Sequence, residues 1–156
     1  MIKLIRIDDR LLHGQVAFTW VPNLSADCLI VANDKVAKDE FQKMVLGLAK
    51  PAGTKLLIKP ISETIGFLND EKNRHLKILL LINSVKDASA IAHEVPEIRS
   101  INFGGIRTQD GARLISKSVA ITNDDVVLIK QLLEKGIEIE IRQVPTDKKQ
   151  MIEALI

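Results

Sequence analysis

The chain has 156 residues, 46% of them hydrophobic and 27% charged, which suits one globular domain and leaves no room for long disorder or a fibre. Its 22 Lys and Arg against 20 Asp and Glu give a net charge of +2, too balanced for an electrostatic nucleic-acid binder, and 3% aromatics with no tyrosine argue against a base-stacking platform. A lone cysteine, Cys28, excludes an internal disulfide and a Cys-rich zinc site.

Residues 2–7 read as a strand. The start Met1–Arg6 carries no extended apolar core followed by small cleavage-site residues, so no signal peptide is expected. Residues 14–21 form a short helix that Pro22 stops, with Phe18 and Trp20 packing on its face. Cys28–Ala32 is a second strand. Residues 34–49 place Val36, Ala37, Phe41, Met44, Val45 and Leu48 on one helical face, expected to meet the core. Leu56–Ile58 is a third strand, and residues 62–70 a shorter helix. Residues 77–82 are apolar on both faces, as a central parallel strand is. Their apolar run falls far short of the ~20 residues of a membrane helix, so no direct membrane insertion is expected. Ser84 to Asp87 has capping-box spacing ahead of a helix through Val95. Residues 99–103 form a fifth strand that ends at Gly104-Gly105.

Residues 107–118 are polar and show no firm period. Val119–Ile121 is a short strand, and Thr122 caps a helix over 124–135 that Gly136 closes. Ile137, Ile139 and Ile141 alternate with Glu138, Glu140 and Arg142, which predicts a strand with one wet face near a sheet edge. A last helix is expected over 147–155. Strands alternating with helices predict an α/β domain over 1–156. Its single open, mostly parallel sheet has about six to seven strands, helices on both faces, and an antiparallel or edge strand near the C-terminus.

Ligand sites in such sheets lie beyond the carboxyl ends of the strands. The chemistry gathers there, foremost in Arg6-Ile7-Asp8-Asp9-Arg10-Leu11-Leu12-His13-Gly14-Gln15-Val16. His13 stands at a helix start, where free amides and the helix dipole favour an anion. Arg10 and Arg6 offer planar forks matched to phosphate oxygens, and an imidazole is a nucleophile able to carry a phosphoryl group. Gly14 leaves room beside the ring. A bland alternative stands next to this one: a loop histidine hydrogen-bonded to Asp8 or Asp9, with the arginines in ordinary salt bridges. Asp8 or Asp9 can equally orient the ring of a working histidine. Gly104-Gly105-Ile106-Arg107 is either an anion nest or a tight turn. Asn33-Asp34 and Asn83-Ser84 read as helix caps, and His75 and His93 as surface residues. No metal signature links His13, His75, His93 and Cys28, and no cofactor is expected.

The segment Arg6–Val16 resembles the active-site signature of the enzyme IIB component of the bacterial sugar phosphotransferase system, in its mannose/fructose/sorbose/N-acetylgalactosamine branch. Val31-Ala32-Asn33-Asp34 with Val36-Ala37, Pro51 and Gly53, Asn102-Phe103-Gly104-Gly105-Ile106-Arg107 and Val144-Pro145 are similar to that family as well. Family patterns often carry Met where Ile106 stands, a departure that hardly touches the chemistry. The resemblance implies that His13 accepts a phosphoryl group on Nδ1 from phosphohistidine of enzyme IIA. It then hands the group to a sugar held by the membrane components IIC and IID. Arg10 and Arg6 would steady the oxygens, the amides of Gly14 and Gln15 would bind the resting phosphate, Arg107 would assist and Asp8 would orient. The imidazole must be neutral to attack, so transfer should slow in acid. A shallow rim site and a cytoplasmic protein working beside its membrane transporter are implied, and a homo-oligomer is compatible with both.

Two rivals stand beside it. A histidine-type phosphatase sets Arg directly before its His and needs a second His or an acid, whereas Arg10 lies three residues away. A ligand-binding or regulatory α/β domain would leave His13 structural and never phosphorylated.

Overall fold

The computed structural model describes residues 1–156. Strand β1 (Ile2–Asp8) enters the middle of the sheet. A π-helical turn over Val16–Trp20 then runs directly into α1 (Val21–Leu24). Next come β2 (Cys28–Ala32), α2 (Glu40–Leu48), β3 (Lys55–Lys59), α3 (Ile61–Asn69), β4 (Ile78–Ile82), α4 (Val85–Glu94) and β5 (Ser100–Gly105). A small hairpin of β6 (Arg113–Leu114) and β7 (Ala120–Ile121) follows, then α5 (Asn123–Glu134), β8 (Glu138–Ile141) and β9 (Gln150–Met151).

Seven strands form one sheet in the order β3-β2-β4-β1-β5-β8-β9, parallel throughout except for antiparallel β9. The expected open α/β sheet is thus present, with its antiparallel pair at the C-terminal end. β4 is fully buried, as its two-sided apolar run predicts. One core of 26 buried residues packs α3, α4 and α5 on one face; a second core of 14 packs the first helix and α2 on the other. Strand β1 connects toward β2 on one side, and β5 connects toward β8 on the other. The loops diverge between their carboxyl ends, which makes that point the crevice of the sheet.

Four expectations are corrected. Pro22 does not stop the first helix, which continues to Leu24: the Val21 N–H bonds to the Val16 carbonyl, and this widened turn moves the backbone that a proline ring would strike. Phe18 does not pack; that helix buries Val16, Ala17 and Trp20 and leaves Phe18 83% exposed. The helix over 34–49 is broken at Asp39, whose extended backbone and side-chain bond from the Gln42 N–H start α2 afresh. The restart turns Phe41, Met44, Val45 and Leu48 to solvent and buries Leu46. The last helix over 147–155 is absent. Gln150–Met151 fills the free edge of β8 and Ile152–Ala154 makes one tight turn, because an open edge offers backbone partners that outbid a weak helix. The segment without firm period, 107–118, supplies the hairpin strand β6.

The caps follow the sequence. Thr122 and Asp125 form a complete capping box, Ser84 accepts from the Asp87 N–H, and Asn33 Oδ1 accepts from the Val36 N–H.

Candidate active site

Strand β1 alternates Ile5 and Ile7 into one core with Leu4, Arg6 and Asp8 on the opposite face. Asp8 ends the strand as a buried carboxylate. Its neighbour Asp9 donates its N–H to the Gly105 carbonyl at 2.8 Å and so ties the loop to β5. The chain reverses through a turn in which the Leu11 N–H meets the Asp8 carbonyl at 2.9 Å. Leu11 itself is left-handed, with φ 59°, a strained state for a side-chain-bearing residue. Burial of the Leu11 and Leu12 side chains holds the turn in place. His13 then caps the helix: its carbonyl accepts the first helical bond, from the Ala17 N–H at 3.0 Å. The amides of Gly14 and Gln15 lie in the first turn, where no helical acceptor exists for them.

Four donors converge on the Asp8 carboxylate. Oδ2 accepts from His13 Nε2 at 3.1 Å and from Arg6 Nη2 at 3.2 Å; Oδ1 accepts from the Arg10 N–H at 3.1 Å and from Arg10 Nε at 3.3 Å. Burial alone would raise its pKa. The bonds from His13 and the Arg10 amide and the charge of Arg6 outweigh that and hold it at about 2. An ionised carboxylate only accepts hydrogen bonds, so the neutral His13 ring carries its proton on Nε2 and keeps the lone pair on Nδ1.

The structure brings Asp8, Arg10 and His13 together. Arg10 is half exposed, and both of its terminal amino groups are free. Arg107 lies across the crevice, where Asp9 accepts from its backbone N–H and its Nε, each at 2.9 Å. Between them opens a polar cleft of about 590 Å³ lined by Arg10, Arg107, Thr108, Lys117, Ser118 and Gln143.

Arg6 departs from the sequence reading. The sequence places it at a phosphate, yet it is fully buried. Four of its five N–H groups go to Asp8, Asn102 and the carbonyls of Arg142 and Gln143. Only Nε is without a partner. Gly104 and Gly105 are neither turn nor nest but the end of β5. A Cβ on Gly104 would run into the Arg6 guanidinium, so the glycine makes room for the arginine. Glu140 departs too: it lies 2% exposed under the site rather than on a wet face. His75 and His93 are exposed and remote from this loop. Cys28 is buried, and burial raises its thiol pKa, which suits an inert core residue.

Lys117, Glu140, Arg142 and Trp20 have no local signature. The hint in the sequence was the alternation of Glu138, Glu140 and Arg142, which reads the same for a wet face and for a buried polar row.

An α/β sheet that presents a carboxylate-oriented histidine among cations at its crevice defines an anion-handling domain. The family model for the PTS system sorbose subfamily IIB component matches residues 2–156, and the chain belongs to that family. A Streptococcus pyogenes protein named "Probable phosphotransferase enzyme IIB component" is 41% identical over 138 residues, 85% of each chain. The mannose-specific EIIAB component of Escherichia coli is 33% identical over 149 residues, 96% of this chain and 46% of that one. The solved IIBSor domain of the Klebsiella pneumoniae sorbose permease superposes with a TM-score of 0.92 at 27% identity, covering 97% of this chain and 93% of that one. Neither the phosphatase nor the purely regulatory reading is favoured beside this membership.

Proposed function

We propose that His13 carries the phosphoryl group of this IIB component, with residues 1–156 acting as one domain and as a protein-Nπ-phosphohistidine–sugar phosphotransferase. The observation that carries the reading is the Asp8–His13 Nε2 bond of 3.1 Å, which in the neutral ring keeps the proton on Nε2 and Nδ1 free, in a ring only 16% exposed. The Nδ1 lone pair forms the new N–P bond as the N–P bond of a phosphohistidine donor breaks, and the donor imidazole leaves. In the second step a sugar hydroxyl oxygen forms the O–P bond as the Nδ1–P bond breaks; the lone pair returns to Nδ1, and the hydroxyl proton passes to solvent. Arg10, through its free fork, steadies the oxygens in flight; Arg107 does so from the opposite wall, and the Gly14 and Gln15 amides hold the resting phosphate. Phosphoryl transfer needs positioning and charge stabilisation above all, and these residues supply both.

The donor in this reading is a IIA component, which the combined IIA and IIB designation of the Escherichia coli relative supports. The acceptor is a sugar held by membrane components IIC and IID. No helix of the chain is long and apolar enough to cross a membrane. In this reading the protein meets the membrane components from the cytoplasmic side. Relatives named for mannose and for sorbose match comparably, so the sugar is assigned to the membrane partners.

The test is transfer from a phosphorylated IIA protein. The chain should gain one acid-labile phosphoryl group, His13→Ala should gain none, and His75→Ala and His93→Ala should label normally. Normal labelling of His13→Ala would end the assignment.

A further inference from the structure

Beneath the His13 loop runs a row of buried polar side chains that carrying a phosphoryl group does not by itself require. Arg6 stands opposite Asn102 in the register of β1 and β5, and Asn102 opposite Glu140 in that of β5 and β8. The three therefore share one face of the sheet, and each is at most 2% exposed. Arg6 Nη1 donates to Asn102 Oδ1 at 2.7 Å, and Asn102 Nδ2 donates to Glu140 Oε1 at 3.1 Å. Arg142 Nε donates to both oxygens of Glu140 at 3.2 Å. Trp20 roofs the row. The guanidinium carbons of Arg6 and Arg142 lie 5.3 and 5.1 Å from its ring centre, and its indole N–H donates to the Gln143 carbonyl at 2.9 Å.

Such a row is poor material for stability alone. Charges taken out of water lose hydration, and an apolar row of equal volume often holds a fold as well or better. Its use lies at the other end. Arg6 Nη2 and His13 Nε2 donate to the same oxygen, Asp8 Oδ2. Where Arg6 is held, that oxygen is held, and with it the proton on the ring.

We infer that Asn102, Glu140 and Arg142 act through Arg6 as positioning residues for His13: they fix Asp8 so that Nε2 keeps the ring proton and Nδ1 stays free. This rests on the phosphoryl-carrier reading and makes Arg6 a positioning residue instead of a phosphate contact. None of the four touches the transferred group.

The test reads the tautomer directly. The ¹⁵N shifts of the His13 ring in the full, unphosphorylated chain need no donor protein. The wild type should show the Nε2–H form. Asn102→Leu, with the same heavy-atom branching but without the link, should show a mixture with Nδ1–H, with far-UV circular dichroism unchanged. Its phosphoryl uptake should fall by ~10-fold or more, the scale for losing a group that orients a reacting residue. Glu140→Gln, which keeps the shape, should move both readouts in the same direction and carries the test if Asn102→Leu does not fold. Folded variants with wild-type His13 shifts and wild-type uptake would overturn the inference. So would failure of both variants to fold, which would make the row structural. A wild type that takes no phosphoryl group would instead sink the carrier reading, while the tautomer would still judge the positioning row.

Discussion

Asp8 is the residue on which the charges of the site meet, and acid should expose this. A carboxyl held at about 2 in the folded chain, against 3.8 ordinarily, is a stabilising group wherever it is ionised. Because the folded value is the lower one, its contribution is complete above about pH 4 and is lost as pH falls toward 2, amounting to about 2 kcal/mol. Urea unfolding at pH 6, 4, 3 and 2 checks it. The wild type should lose stability more steeply than Asp8→Asn across that window; parallel curves would remove Asp8 from the account. Arg10 makes a different prediction. Its Nε is spent on Asp8, while its two terminal amino groups are free for an oxyanion. Arg10→Ala should keep the fold and slow phosphoryl uptake ~10²-fold, as the loss of one preorganised charge contact does. Arg10→Lys should remain well below wild type, because an ammonium cannot bond Asp8 and two phosphate oxygens as a planar fork does. Wild-type rates in Arg10→Lys would refute the bidentate role.

At the scale of elements, β1, β5 and the first helix build the site between them, and their tightest point is Gly104. The Arg6 guanidinium occupies the space a Cβ would need there, and its four hydrogen bonds prevent it from yielding. Gly104→Ala should therefore cost ~1–3 kcal/mol, the range for overpacking a fixed interior. Gly105→Ala would meet only the Ser118 carbonyl at 3.7 Å, an ordinary contact, and should change little. Chemical denaturation of the two variants side by side measures the difference, and equal costs would contradict it. Elements were legible in the sequence where one strong signal acted alone: the two-sided apolar run of β4, or the Thr122 cap of α5. They were misread where two signals competed. Residues 34–49 carry a helical period throughout, yet Asp39 caps more strongly than the period continues. Residues 147–155 carry helical spacing too, but the period says nothing of the open β8 edge waiting for Gln150 and Met151.

Over the whole molecule, the strand order places the Asp8–His13 loop and the Gly104–Arg107 segment on either side of one crevice. The local part of the site was readable because Arg6 to Val16 is one contiguous segment at a strand end. Glu140, Arg142 and Trp20 were not, and Asn102 showed only as part of a family motif with no role, because strand register and helix packing bring them together from distant parts of the chain. The fate of Arg6 turned on the same point: an arginine at a strand end reads alike whether it faces solvent or a buried partner. The claim on which the rest depends is that His13 carries the group and does so on Nδ1. After phosphorylation by a IIA donor, ³¹P and ¹⁵N spectra of the ¹⁵N-labelled chain locate the bond. One N–P linkage is expected, at Nδ1 of His13, with Nε2 still protonated and bonded to Asp8. A linkage at Nε2, or at His75 or His93, would contradict it.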